Sequence, residues 1–175
     1  MAERKAILAL DFDEVFILAP GTPTAKGAYT DRARTMVTVK LDHGLVGTGD
    51  AWYSPRMIEA LNDIVSDADK ILLASSWGKA SMKAAKAVGL HLSRRKTVNL
   101  FPYLTPGAIG QQHKLDRAHD LILDYLADDD TRIAWVDDQH PRGYGQVDGI
   151  HTIGTDPVPG LTRADLAHIR DVLFY

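Results

Sequence analysis

Ile7-Leu8-Ala9-Leu10-Asp11-Phe12-Asp13-Glu14-Val15 is the stretch whose reading decides the fold. Four apolar residues run straight into two carboxylates set two positions apart. A short continuous apolar run suits a strand buried on both faces of a parallel sheet. Side chains alternate along an extended segment, so Asp11 and Asp13 leave the strand end on the same side. Ligand sites in open α/β sheets lie at the carboxyl ends of the strands. Two like charges held close there repel, and a hard cation with oxygen ligands relieves the repulsion. The competing reading is a strand followed by a solvated acidic turn.

Working outward, two more apolar runs end in polar residues. Lys70-Ile71-Leu72-Leu73-Ala74 leads into Ser75-Ser76-Trp77-Gly78, and Arg132-Ile133-Ala134-Trp135-Val136 ends in Asp137-Asp138. Thr97–Phe101 and Gly149–Ile153 read as two further strands. Between the strands lie helical patterns. Ser54-Pro55 opens one by a cap followed by proline, with Met57, Ile58, Leu61, Ile64 and Val65 on one face. A second, rich in Ala and Lys, covers about 79–88 and stops at Gly89. A third starts at Lys114 with Leu115, Ala118, Leu121, Ile122 and Tyr125 as its stripe. Thr162-Arg163-Ala164-Asp165 resembles a capping box for the last, which buries Leu166, Ile169, Val172 and Leu173. Strands alternating with helices predict an α/β fold, a Rossmann-like parallel sheet with helices on both faces.

Residues 19–35 are rich in Gly, Pro, Thr and Ala and read as an irregular excursion. Met36–Leu41 alternates, Asp42-His43-Gly44 offers a turn, and Leu45-Val46-Gly47 follows, which predicts a hairpin flap. The expected organisation is one domain over 1–175 with a small flap or cap insertion at about 16–54.

Composition narrows the function. Hydrophobic residues make up 45% and charged residues 25%, as in ordinary globular proteins. The net charge of −3 gives no overall positive field toward nucleic acid or membrane. The absence of cysteine excludes disulfides, zinc-thiolate sites and thiol catalysis. No apolar run approaches spanning length or a signal peptide, so a cytoplasmic protein without a membrane or an evident partner protein is expected.

Three strand ends, Asp11 with Asp13, Ser75 with Ser76, and Asp137 with Asp138, share one edge of a parallel sheet and can converge. Lys114 adds a cation in the first turn of a helix, opposing its dipole at about 0.3–1 kcal/mol. Neighbouring carboxylates give that cation a physical reason. His140 reads as a surface histidine, and Trp77 and Trp135 as core residues.

The order Asp-x-Asp, Ser, Lys, Asp-Asp resembles the haloacid dehalogenase (HAD) superfamily of phosphatases, with motifs at 11–15, 71–75, Lys114 and 133–138. Ser75-Ser76-Trp77-Gly78, the Asp-Asp pair and the run Thr155-Asp156-Pro157 to Gly160-Leu161-Thr162 are similar to a HAD subfamily of bacteria and phages associated with RNA-repair proteins. The resemblance implies a magnesium-dependent phosphohydrolase. In it Asp11 is the nucleophile, Asp13 the general acid and base, and Ser75 and Lys114 the partners of the phosphoryl group. Mg²⁺ would be held by Asp11, the Asp13 backbone carbonyl and Asp138, with Asp137 turned toward Lys114. The flap is too small to enclose a site, which suits a phosphorylated nucleotide or nucleic-acid end. Ser76 and the basic run Arg94-Arg95-Lys96 are the candidate substrate contacts. The alternatives are a small-metabolite phosphatase or a non-catalytic phosphate- or metal-binding protein on the same fold. A signalling receiver domain fits less well, because there the paired acids precede an acceptor after the third strand. Glu14 stands where the family usually has glycine, which predicts an altered local turn and extra negative charge at the site.

Overall fold

The computed structural model describes residues 4–18, 21, 23, 26–40, 46–102, 111–126 and 130–175. β1 (Lys5–Leu10) is the middle of a five-stranded sheet, and every residue after Lys5 is buried. β4 (Lys70–Leu73) and β6 (Thr131–Val147) flank it in parallel. β5 (Thr97–Asn99) extends the sheet beyond β4 and β7 (Ile150–Gly154) beyond β6, giving the order β5-β4-β1-β6-β7. A separate antiparallel pair, β2 (Ala33–Lys40) and β3 (Val46–Tyr53), forms the flap, longer on both sides than the alternation in 36–47 indicates. The turn at 41–45, with His43, lies outside the described residues.

Alternation along the strands sorts the core into two layers. Ala6, Leu8 and Leu10 of β1, Ile71 and Leu73 of β4, and Ala134 and Val136 of β6 face one side. There they meet α1 (Pro55–Asp67), α2 (Ser81–Ala87) and α4 (Arg163–Phe174). Ile7 and Ala9, Leu72, and Ile133 and Trp135 face the other side, against Ala118 and Ile122 of α3 (Gln111–Leu123). This is the α/β sheet with helices on both faces that the sequence predicts.

The caps are where the sequence puts them. The Ser54 hydroxyl accepts from Met57 N at 3.1 Å, and Pro55 follows at the first helical position. Thr162 and Asp165 close a reciprocal capping box on α4. Three elements depart from expectation. α3 begins at Gln111, so Lys114 is its fourth residue rather than its start. Val172 is half-buried and packs at the margin of the core.

The largest difference is β6. Its partners on β7 rise together from Ala134↔His151 to Asp137↔Gly154, then run in reverse from Arg142↔Gly154 to Val147↔Ile150. The strand therefore folds back past β7 and closes through Asp148-Gly149, both at positive φ (48° and 85°). An Asp-Gly pair with both residues in that region makes the tight turn that matches strand twist. At the fold-back Gly154 has no room for a side chain: a Cβ would sit 2.2 Å from the Pro141 carbonyl oxygen.

Candidate active site

The period-2 alternation that sorts the core also builds the site. Asp11 continues the Ile7–Ala9 face and Asp137 the Ile133–Trp135 face, so both point to the α3 side of the sheet. Lys114, in the first turn of α3, meets them there. Its Nζ lies 2.5 Å from Asp11 Oδ2 and 3.1 Å from Asp137 Oδ2. All three side chains are at most 2% exposed, so this is a dry ion network. The charged network outweighs the burial that would otherwise lower the lysine's pKa, and Lys114 is held above its usual value by Asp11 and Asp137.

Asp138 completes an acidic cluster. One carboxylate oxygen from each of Asp11, Asp137 and Asp138 lies within 4.8 Å of the others. Burial first, and the Asp11 charge second, push Asp137 up to about 7 and Asp138 up to about 6, against the pull of Lys114. Asp11 Oδ1 is buried without a hydrogen-bond partner while its other oxygen takes Lys114. An orphaned carboxylate oxygen among three crowded carboxylates fits a hard cation with oxygen ligands. Among the described residues one lysine offsets three acids here, and a divalent ion would supply the remaining charge.

Asp13 leaves the strand on a different bearing. Its Oδ1 accepts from Trp77 Nε1 at 2.9 Å, and its carboxylate stands outside the Asp11–Asp137–Asp138 group. Burial raises its pKa, the indole N–H lowers it in part, and the Asp11 charge raises it again. Trp77 is thus half-buried against the core and also a hydrogen-bond donor to the site, a role that the apolar character of its ring conceals.

Ser75 is fully buried at the end of β4, with its hydroxyl accepting from Trp77 N at 3.2 Å. Ala74 N donates to Leu10 O and Asp11 N to Val136 O, both at 2.9 Å, which ties the three strand ends together. Ser76 is half-buried in the turn that follows.

The loop after β1 is tight. Phe16 N and Ile17 N both donate to Phe12 O, and the Phe12 and Phe16 rings sit 4.6 Å apart. Glu14 has φ 58°, in the left-handed region that favours glycine, and adopts it despite its side chain. The penalty for a residue with a Cβ is about 1–2 kcal/mol. Contacts from the later chain hold the loop: Thr155 Oγ1 donates to Glu14 O and Leu161 N to Val15 O, both at 2.9 Å. Gly160 sits so close that a Cβ would be 2.5 Å from Val15 O. The Thr155-to-Thr162 run therefore acts as a brace for the acidic loop. The expected extra charge is also present, since Glu14 helps raise both Asp13 and Asp138.

Arg94, Arg95 and Lys96 are not brought to this edge. They precede β5, which runs parallel to β4, and Lys96 Nζ donates to Ser66 O and Ala68 O at the far end of α1. The basic run thus belongs to the opposite side of the sheet from the carboxylates. His140 also departs from its reading as a surface residue. It packs edge-on against the Trp135 ring at 4.3 Å, and burial, aided by the Lys114 charge, pulls its pKa down to about 4. Trp135 is core, as expected.

Buried carboxylates at the carboxyl ends of adjacent parallel strands, one lysine among them and a serine beside them define a HAD-type phosphohydrolase fold. Residues 7–166 match the model of the HAD domain in Swiss Army Knife RNA repair proteins, and the chain belongs to that family. Neither the curated proteins nor the solved structures contain a match to this chain. Among the described residues no helix is long and apolar enough to cross a membrane.

Proposed function

We propose that this chain is a single HAD-like domain, 1–175 with its flap insertion at about 16–54, that hydrolyses phosphoric monoesters through an aspartyl-phosphate. Its proposed substrate is a phosphorylated nucleotide or nucleic-acid end. The observation that carries this reading is the buried Asp11–Lys114 contact at 2.5 Å beside Asp137 and Asp138. Lys114 holds the Asp11 carboxylate in place for attack on phosphorus. A carboxylate needs no base for attack because it is already ionised.

In the first step a bond forms from Asp11 oxygen to phosphorus, and the bond from phosphorus to the leaving oxygen breaks. Asp13, whose raised pKa suits a proton donor, passes its proton to that oxygen. In the second step Asp13 takes a proton from water, which attacks phosphorus and releases inorganic phosphate and free Asp11. Trp77 holds Asp13 for both transfers. Ser75, with Ser76 beside it, donates to phosphoryl oxygens, and Lys114 offsets charge on nucleophile and phosphate. Asp11 and Asp138, with the Asp13 backbone carbonyl, would hold Mg²⁺, and Asp137 positions Lys114. When bound, the ion neutralises phosphoryl charge and orients the group for in-line attack.

The test is phosphate release from 3′- and 5′-phosphorylated oligonucleotides, mononucleotides, sugar phosphates and an aryl phosphate, with Mg²⁺ or with chelator. Mg²⁺-dependent release led by nucleotide substrates is expected. A preference for sugar phosphates would replace the substrate class, and no release from any of them would leave a non-catalytic phosphate- or metal-binding protein.

A further inference from the structure

The chain is acidic overall, yet its charge is strongly segregated. Between residues 70 and 115 there is no Asp or Glu, while eight of the chain's 20 Lys and Arg fall there. Three of them, Lys79, Lys83 and Lys86, follow one another at spacings of four and three. Lys83 and Lys86 share a face of α2, and Lys79 lies in the 3-10 turn Gly78–Ala80 that leads into it. Lys83, Lys86 and Arg94 are exposed. With Lys79, Met82 and Leu92 they line a groove of about 480 Å³ along α2. Among the described residues no acidic side chain lines it.

The first residue of the groove, Lys79, lies two positions beyond Trp77 in the chain. Lys79 follows directly on Trp77-Gly78, the turn that sends the indole N–H to Asp13 and whose Gly78 N donates to Ser75 O. From there α2 carries the cations away from the carboxyl ends of the strands toward Arg94, which precedes β5. At 1.5 Å per residue the seven residues of α2 cover about 10 Å. β2 of the flap packs on α2, the helix that carries the groove.

From this geometry we infer that the α2 groove binds the sugar-phosphate backbone of a single-stranded polynucleotide whose phosphorylated end lies in the carboxylate site. A mononucleotide would fill the site and leave the groove empty. A backbone of repeated phosphates matches a line of cations that continues away from a phosphoryl-binding edge. An acidic protein would match the sign of the charge but has no reason to end at Asp11. The inference rests on the proposed phosphohydrolase reading for its direction, and its test separates the two.

The experiment measures anisotropy of a labelled single-stranded oligonucleotide without a terminal phosphate, titrated with the full-length protein at several salt concentrations. Four groove cations give an expected log–log salt slope of about −2.8. Lys83→Gln/Lys86→Gln should bring the slope nearer zero by about 1.4. Lys83→Glu/Lys86→Glu should weaken binding at least tenfold and raise KM for a phosphorylated oligonucleotide. Its kcat on the aryl phosphate should be unchanged. Unchanged binding and slope in both variants, or equal binding of polyglutamate or anionic vesicles, would overturn the groove assignment. Hydrolysis of mononucleotides without oligonucleotide binding would defeat this inference alone. Salt-dependent oligonucleotide binding without any hydrolysis would instead defeat the phosphohydrolase reading.

Discussion

Two ion pairs in this molecule share their chemistry and differ in almost everything else. Arg34 and Asp50 face each other across the flap at 3.5 Å, each about half exposed (58% and 49%). Lys114 and Asp11 meet at 2.5 Å with 1% and 2% exposed. Water screens the first pair, which contributes about 0–1 kcal/mol. The second has lost its water, and the penalty for stripping two ions rivals their attraction. A sheet edge gains little stability from burying three acids and a lysine, which apolar residues could replace. The difference teaches that stability does not account for the buried charges, while the flap pair is a surface detail.

The largest effect should come from removing the cation. Lys114→Met should abolish measurable turnover and leave Asp11 and Asp137 buried without their partner. Breaking a buried pair from one side costs about 3–5 kcal/mol, far more than the helix-start position alone implies. The loss should depend on pH. Asp137 and Asp138 already have raised pKa values of about 7 and 6, so the folded state holds their protons more tightly than the unfolded chain. Protonation between those values and the ordinary carboxylate value therefore favours folding, and stability falls as pH rises toward and through 7. Denaturant melts of the variant should recover toward pH 5 and worsen toward pH 8, and equal loss at both would break the comparison.

Metal binding should carry the same signature with the opposite sign. A proton and a divalent cation compete for Asp138, and the cation's charge disfavours a proton on nearby Asp137, so apparent Mg²⁺ affinity should rise between pH 5 and pH 8. Titration calorimetry in two buffers of different ionisation enthalpy reads the proton release directly. An affinity flat across that range would remove these carboxylates from the metal's surroundings.

Trp77→Phe should have a smaller effect. It keeps the ring in the core and deletes only the N–H that meets Asp13. A roughly tenfold fall in kcat is expected, less than the 10²–10⁴-fold a general acid supplies. The N–H favours the charged carboxylate, so the pH-rate limb belonging to Asp13 should move to higher pH. An unmoved limb would make Trp77 a packing residue only. Arg34→Ala closes the series, with a change in stability within about 0.5 kcal/mol.

What the sequence made legible follows the same division. β1, β4, α1 and the α4 cap announce themselves because burial on both strand faces, a Ser-Pro start and a Thr-x-x-Asp box are local patterns. The long fold-back of β6 is not local. Its return half, Arg142 to Val147, is mostly exposed and carries two glycines, so no alternation marks it. The Asp148-Gly149 pair is the available signal, and reading Gly149 as the first residue of a strand hides it. The burial of Lys114 depended on which helix covers which face of the sheet, a matter of topology. Trp77 was missed because hydrophobic patterning weighs the ring and ignores its N–H. The basic run at 94–96 drew attention as three consecutive cations, whereas the lysines of α2 form a line only once wound on a helix.

The central claim is that Asp11 carries the phosphoryl group. Wild-type protein should be mixed with Mg²⁺ and a hydrolysed substrate, quenched in acid, reduced with borohydride and mapped by mass spectrometry. The account predicts that residue 11 is converted to homoserine. It also predicts that Asp11→Asn shows no conversion and loses turnover on the order of 10³-fold or more. Conversion at another acid, or turnover near wild type in Asp11→Asn, would contradict it.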